Sequence, residues 1–265
     1  LVNLPEEPAK HWVYWEESLL DPDKKIISRI ENISPYVSGF AELSAALKPP
    51  VGKLLGEDAA LFKEKVNFKY PGADGFKPHQ DSQAGWWDYA DYFVTVMVCV
   101  DEATEKNGCL QLVAGHHKEG LVRKWEPLNE EDTGKMDFIM VPTKPGDVIY
   151  FDSYTPHGSE PNMSDKTRRV YFATYSRLSD GNFLEQYYAD KLNLIAHGPR
   201  RVLANGEDPR LVAALERFHP DAEIEWVGST GSHWTVSGRA GAREILRDGA
   251  RFVDASTLPL VGRHN

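Results

Sequence analysis

A chain of 265 residues with 41% hydrophobic and 26% charged residues has the balance of a soluble globular protein, with room for one large β domain or a medium domain and an appendage. Its formal charge of −10 supplies no basic stripe to neutralise a phosphate backbone, which argues against a nucleic-acid partner. No apolar run reaches the length of a bilayer crossing, and the first residues lack a basic start followed by an apolar stretch. A cytoplasmic protein without a membrane partner is expected, with Cys99 and Cys109 as reduced core thiols on neighbouring strands, since an extracellular scaffold of this size would carry more cysteines.

The first distinctive stretch, "KHWVYWEES", concentrates Trp12, Tyr14 and Trp15, aromatics suited either to helix packing or to a lid over a site. From Asp21 to Lys48 apolar residues recur at spacings of three and four: Ile26, Ile27, Ile30 and Ile33, then Phe40, Leu43, Ala46 and Leu47. Asp21 as N-cap and Pro22 at the first helical position predict a helix over Pro22 to Glu31, with a second after it.

Beyond "KPPVGKLLGEDA" the texture becomes that of strands. "FKEKVNFKY", "YFVTVMVCV", "GCLQLVAG", "DFIMVPT", "GDVIYFDS" and "RRVYFATYSRL" are β-branched or aromatic runs bounded by turn residues, with "DEATEKNG" joining two of them. The expected fold is mainly β, a double-stranded β-helix or jelly roll preceded by N-terminal helices. After about His197 the runs read strand, helix, strand, strand, helix, strand. That is the order of a split βαβ ferredoxin-like unit, with an irregular extension over the β domain as the alternative. The expected domains are therefore 1–198 and a small α+β unit at 199–265.

Three separated places carry chemistry. In "FKPHQDSQAGWW", His79 and Asp81 would share one face of a strand, since side chains alternate. His157, in "YTPHGSE", would reach them if two sheets face each other, as in a jelly roll. Two imidazoles and one carboxylate on one side of a metal leave positions open, the arrangement of non-heme Fe(II) oxygenases rather than of a closed structural zinc site. Arg168 begins a strand on which Val170, Phe172 and Thr174 share its face, and an inward guanidinium is a good two-pronged anchor for a carboxylate.

"NFKYPGADGFKPHQD", "DEATEKNGCLQLVAGHHKEG" and "KPGDVIYFDSYTPHGSEPNMSDKTRRVYFATY" together resemble, in order and spacing, the phytanoyl-CoA dioxygenase family of Fe(II)/2-oxoglutarate oxygenases. The resemblance is strong from about Leu61 to Leu178. It implies His79, Asp81 and His157 as iron ligands, and Arg168 as partner of the distal 2-oxoglutarate carboxylate, with Ser159, Asn67 and Lys69 near that co-substrate. It further implies O2 consumption, release of succinate and CO2, and hydroxylation of an aliphatic C–H of a small polar molecule or biosynthetic intermediate. The same chemistry diverted to desaturation or ring formation, or a non-catalytic metal-binding jelly roll, are the alternatives. Retention of Asp81 separates the chain from halogenating relatives, which carry a small residue there. Gln83, Trp86 and Trp87 follow the first ligands and are candidates to touch substrate, the tryptophans with core packing as an equal reading. His116 and His117 stand at a "PGSH"-like turn and are read as structural. No feature of the sequence sets an oligomeric state.

Overall fold

The computed structural model describes residues 12–124, 127–197, 223–227 and 233–237. The chain divides into two compact units between Tyr187 and Tyr188. In the first, strands β1 (Trp12–Ser18), β2 (Asp21–Glu31), β3 (Ala59–Lys69), β5 (Val94–Cys99), β8 (Val148–Asp152) and β10 (Arg168–Arg177) form one sheet in the order β1-β2-β3-β10-β5-β8. A second sheet has the order β4-β9-β6-β7, from β4 (Phe76–His79), β9 (His157–Ser159), β6 (Leu110–Leu112) and β7 (Ile139–Val141). All the pairings are antiparallel, and together they make the mainly β, jelly-roll architecture expected.

Alternation along β3, β5 and β10 explains which way the larger sheet faces. Val66 and Phe68 on β3, Val94 and Val96 on β5, and Tyr171, Ala173 and Tyr175 on β10 share a core cluster with Leu47, Val51 and Leu55 of helix α1 (Ser38–Leu55). The opposite face carries Met97 and Cys99 of β5 and Val170 of β10, which pack on Leu110 from the smaller sheet. That inner face also holds the polar residues Lys63, Lys65, Asn67 and Arg168, which line a cavity between the sheets. A register shift between Thr174 and Tyr175 ends this regularity. Beyond it Leu61 joins the helix-side core, while Phe62 turns into a separate aromatic cluster with Trp86 and Phe93.

The N-terminal expectation changes. Residues Pro22 to Glu31 are not a helix but part of strand β2, hydrogen-bonded to β1 on one side and to β3 on the other. Its isoleucines are β-branched and sit comfortably on a pleated surface, and pairing on both edges supplies what an isolated helical periodicity cannot. Trp12, Tyr14 and Trp15 likewise lie on a strand rather than a helix. The second helix is present as α1, and it continues through Pro49 and Pro50 to end at Gly56, whose φ of 80° and N–H bond to the Gly52 carbonyl make a left-handed cap. A short helix α2 (Glu130–Thr133) lies before β7, and α3 (Leu184–His197) follows β10.

Cys99 and Cys109 are both free and buried, but β5 and β6, which they belong to or adjoin, are in different sheets rather than neighbours. In the second unit, β11 (Glu223–Val227) and β12 (His233–Ser237) pair antiparallel with Trp226 opposite Trp234, as the runs "EIEWVG" and "HWTVSG" predict. The boundary expected at 198/199 and the remaining elements of a ferredoxin-like order lie outside the described residues. No helix among the described residues is long and apolar enough to cross a membrane.

Candidate metal centre

His79 ends β4 and His157 begins β9, and the two are register partners on adjacent strands, with ring centroids 4.2 Å apart. They therefore meet within one sheet, not across two facing sheets as the sequence suggested. Asp81 has left the strand: it opens a 3-10 turn over Asp81–Ala84, which swings its carboxylate under both imidazoles. The intervening Gln80 is fully buried and pins this turn. Its Nε2 donates to the carbonyls of Gly120 (2.8 Å) and Tyr154 (2.6 Å), and its Oε1 accepts from the Val122 N–H (2.8 Å).

The result is a compact set of donors. Asp81 Oδ1 lies 4.0 Å from His79 Nε2 and 3.9 Å from His157 Nε2. Each ring directs its Nδ1 to a backbone carbonyl, His79 to Lys77 (2.7 Å) and His157 to Thr155 (2.9 Å). Those bonds place the ring proton on Nδ1 and leave the Nε2 lone pair facing Asp81, the orientation a metal requires. Thr95 Oγ1 donates to Asp81 Oδ2 at 3.0 Å and lies 3.0 Å from Thr174 Oγ1, so Oδ1 is the carboxylate oxygen turned to the imidazoles.

Burial, then the neighbouring His157, hold His79 well below its ordinary pKa, so its ring is neutral. Burial alone would raise the Asp81 carboxyl, but His157, His79, Lys65 and Lys63 outweigh it and keep the group ionised. Among the described residues, this is the group of histidine, cysteine and acidic side chains placed to hold a metal ion.

The cavity extends from these donors along the inner face to Arg168. Arg168 is 3% exposed, its Nε has no hydrogen-bond partner, and burial lowers its pKa to about 10. Beside it, Asn67 Oδ1 is also buried without a partner. Lys69, opposite Arg168 in the strand register, donates from Nζ to Ser159 Oγ (2.8 Å) and to the Glu160 carbonyl. Burial, then the charge of Arg168, lower Lys69 to about 7. Gly108 lets Lys69 in: at φ 71°, a Cβ there would stand 2.7 Å from the Lys69 Nζ. Arg169, by contrast, points outward and grips Asp101 through Nε (2.7 Å) and an Nη (2.9 Å).

His79, Asp81, His157, Ser159, Asn67, Arg168 and Trp86 thus all line one cavity. Gln83 and Trp87 are not among its lining residues. The Gln83 Oε1 accepts from the Gln80 N–H (3.1 Å) and caps the turn, and the Trp87 ring lies under the Lys124 ammonium at 4.9 Å. His116 and His117 sit in the 3-10 turn His116–Glu119, away from the donors. Sequence reasoning missed Thr95, Lys63 and Lys65. The lysines were visible as alternate residues in "FKEKVNFK", but which face of that strand turns inward depends on the helix packed against the other side.

The phytanoyl-CoA dioxygenase family model matches residues 5–170. The chain belongs to the phytanoyl-CoA dioxygenase family. Among curated proteins it is similar to a 2-aminoethylphosphonate dioxygenase from uncultured bacterium HF130_AEPn_1, 39% identical over 72% of this chain and 74% of that protein. It is also similar to a methylphosphonate hydroxylase from Gimesia maris, 39% identical over 62% of this chain and 64% of that one. Among solved structures, EctD from S. alaskensis with 2-oxoglutarate and 5-hydroxyectoine is 26% identical, with a TM-score of 0.51, over 60% of this chain and 59% of EctD. A second EctD structure is described as holding Fe. This phytanoyl-CoA dioxygenase family member is accordingly an enzyme, an iron- and 2-oxoglutarate-dependent dioxygenase.

Proposed function

We propose that the protein hydroxylates an aliphatic C–H of a small, anionic, polar molecule of the phosphonate type, with release of succinate and CO2. The observation that carries the reading is the His79–Asp81–His157 cluster at one end of a cavity whose other end presents the buried, unpartnered Nε of Arg168.

In this reading His79, Asp81 and His157 hold the iron. The donor set fits: two imidazoles whose Nδ1 is committed to a backbone carbonyl and whose Nε2 is free, with one ionised carboxylate, suit Fe(II) and would occupy one side of it. The metal supplies the activation of O2 that is coupled to decarboxylation of the co-substrate. Arg168 receives the distal carboxylate of 2-oxoglutarate, which completes a guanidinium otherwise left buried with an empty donor. Ser159, held by Lys69, and Asn67 flank that carboxylate and fix its orientation. Thr95 orients Asp81, and Trp86 forms an apolar wall of the cavity. Positioning of the substrate in the cavity decides which hydrogen is lost. The phosphonate class follows from the two relatives named for phosphonates and from the cationic character of the cavity wall.

The first test is anaerobic. Fe(II) followed by 2-oxoglutarate gives a weak visible charge-transfer band in the wild-type protein, weakened in His157→Ala and Arg168→Ala. Succinate release on admitting O2 then increases with 2-aminoethylphosphonate or methylphosphonate. A folded wild-type protein that shows no band refutes the assignment.

A further inference from the structure

Strand β3 turns Lys63 and Lys65 into the cavity and carries a third lysine, Lys69, on the same face beyond its lining. Lys69 is engaged by Ser159 Oγ and the Glu160 carbonyl at the Arg168 end. Lys63 and Lys65 lie nearer the metal donors: Lys63 is in register with Thr174, which is itself in register with Thr95, the residue bonded to Asp81. Both line the cavity, Lys63 being 9% exposed.

Neither ammonium makes a hydrogen bond or ion pair to another described residue. Lys63 Nζ stands 5.3 Å from the Trp86 ring centre and 5.4 Å from that of Tyr187; Lys65 Nζ stands 5.4 Å from Phe172 and 5.8 Å from Phe76. An aromatic face replaces only part of the hydration that a buried ammonium gives up. Local charge does not close either. Arg29 is matched by Glu31, its Nε 2.9 Å from Oε1. Against burial, Tyr187, Glu31 and Asp81 hold Lys63 above its ordinary pKa, whereas burial and then Lys63 lower Lys65; of the two carboxylates, Glu31 is shared with Arg29, and the charge of Asp81 would be offset by a bound divalent metal. An excess of positive charge at the metal end of a half-closed cavity calls for an anionic ligand with several acceptor oxygens.

Building on the function proposed above, we propose that Lys63 and Lys65 form the headgroup site of the substrate, taking the tetrahedral oxyanion of a phosphonate between their two ammoniums and setting the enzyme's preference for a phosphonate over an uncharged analogue. Trp86 and Phe172 then exclude water around the headgroup. Burial, then the nearby Lys63, lower Lys65 to about 7, a strain that an anion bound between the two relieves. This assignment separates two anion sites in one cavity: Arg168 with Ser159 for the co-substrate, Lys63 with Lys65 for the substrate.

The test uses the anaerobic Fe(II)–2-oxoglutarate complex. The affinity for 2-oxoglutarate is read from the growth of the charge-transfer band, and the affinity for methylphosphonate and 2-aminoethylphosphonate by calorimetry on the preformed complex. Expected is a loss of phosphonate affinity of tenfold or more in Lys63→Gln and Lys65→Gln, retention in Lys63→Arg, and 2-oxoglutarate affinity within about threefold of wild type in all three. Thermal unfolding of each variant screens for misfolding, and Lys63→Arg carries the test should either glutamine variant fail to fold, because it alone keeps the charge. Unchanged phosphonate affinity in both glutamine variants overturns the proposal, as does a parallel loss of 2-oxoglutarate affinity, which would assign the lysines to the co-substrate. A wild-type complex that shows the band but binds neither phosphonate overturns the headgroup site while leaving the oxygenase assignment intact; absence of the band removes both.

Discussion

Thr95 Oγ1 lies 3.0 Å from Asp81 Oδ2 and joins the two sheets at the candidate metal centre: Thr95 is on β5 of the larger sheet, whereas Asp81 follows β4 of the smaller one. The hydroxyl fixes which carboxylate oxygen turns to the imidazoles. Replacing it by an isosteric methyl in Thr95→Val keeps the volume and removes the donor. Metal affinity is expected to fall by roughly 10- to 100-fold, the usual scale for losing a partner of a metal ligand, while Thr95→Ser stays near wild type. Titration with Fe(II) under anaerobic conditions reads this directly; equal affinities in the two variants would show that the bond has no orienting role.

Arg168 is the guanidinium on which the co-substrate assignment depends. Arg168→Met preserves the buried stem and removes the charge. The expectation is a loss of about 2–5 kcal/mol in 2-oxoglutarate binding, the range for removing one partner of a buried charged pair, with metal affinity unaffected. A rise in the KM for 2-oxoglutarate without a change in Fe(II) affinity checks it.

Metal binding should also be visible in stability. The donors are preformed, so a divalent ion binds the folded chain far better than the unfolded one. At a free concentration about 100-fold above its Kd, this adds about 2.7 kcal/mol. Mn(II) loading is expected to raise the melting temperature, chelation to reverse the rise, and Asp81→Ala to abolish it. A melting temperature indifferent to metal in the wild-type protein would speak against the site.

Glu64, on the helix side of β3, accepts hydrogen bonds at Oε1 from the Ile33 and Ser34 N–H groups, the latter at 2.8 Å. Burial pushes its carboxyl from 4.5 up to about 7. Between these values the folded chain keeps a proton that the unfolded chain has released, so this group lowers stability as pH rises through the window. The slope is at most about 1.4 kcal/mol per pH unit. Glu64→Gln removes that contribution, and denaturant midpoints of the two proteins between pH 4.5 and 7 should diverge in favour of the variant as pH rises. Parallel curves would mean that Glu64 ionises normally.

Gly108 has φ 71°, and a Cβ there would collide with the Glu160 carbonyl oxygen. Gly108→Ala is therefore expected to cost about 1–3 kcal/mol in stability and to push Lys69 off Ser159. Its signature is a weakened 2-oxoglutarate band in protein that still binds metal, which plain destabilisation would not produce.

How far the sequence went depended on the kind of signal. Strands β3, β5, β8 and β10 were legible because their alternation is local and survives in any packing that buries one face. Strand β2 was not, because Ile26, Ile27 and Ile30 satisfy a helical spacing as well as they fill a strand, and only the edges of β1 and β3 decide between the two. Trp86 reads in the sequence as either a cavity residue or a core residue and is both, buried against Phe62 and Phe93 while lining the cavity. Gln83 reads as a substrate contact in the sequence, yet its side-chain Oε1 is taken by the Gln80 N–H, a bond made possible by a 3-10 turn that no spacing announces.

By itself, the sequence carried the family and the residue types of the candidate metal set and of the candidate carboxylate anchor, because each is a local motif read in order along the chain. Tertiary structure alone decided that His79 and His157 are neighbours on adjacent strands, that Thr95 holds Asp81 from the other sheet, and that Lys63 and Lys65 face the cavity instead of solvent. The reason is that facing is a property of the sheet: α1 covers one side of β3, β5 and β10, so every polar side chain of the alternate register must turn between the sheets.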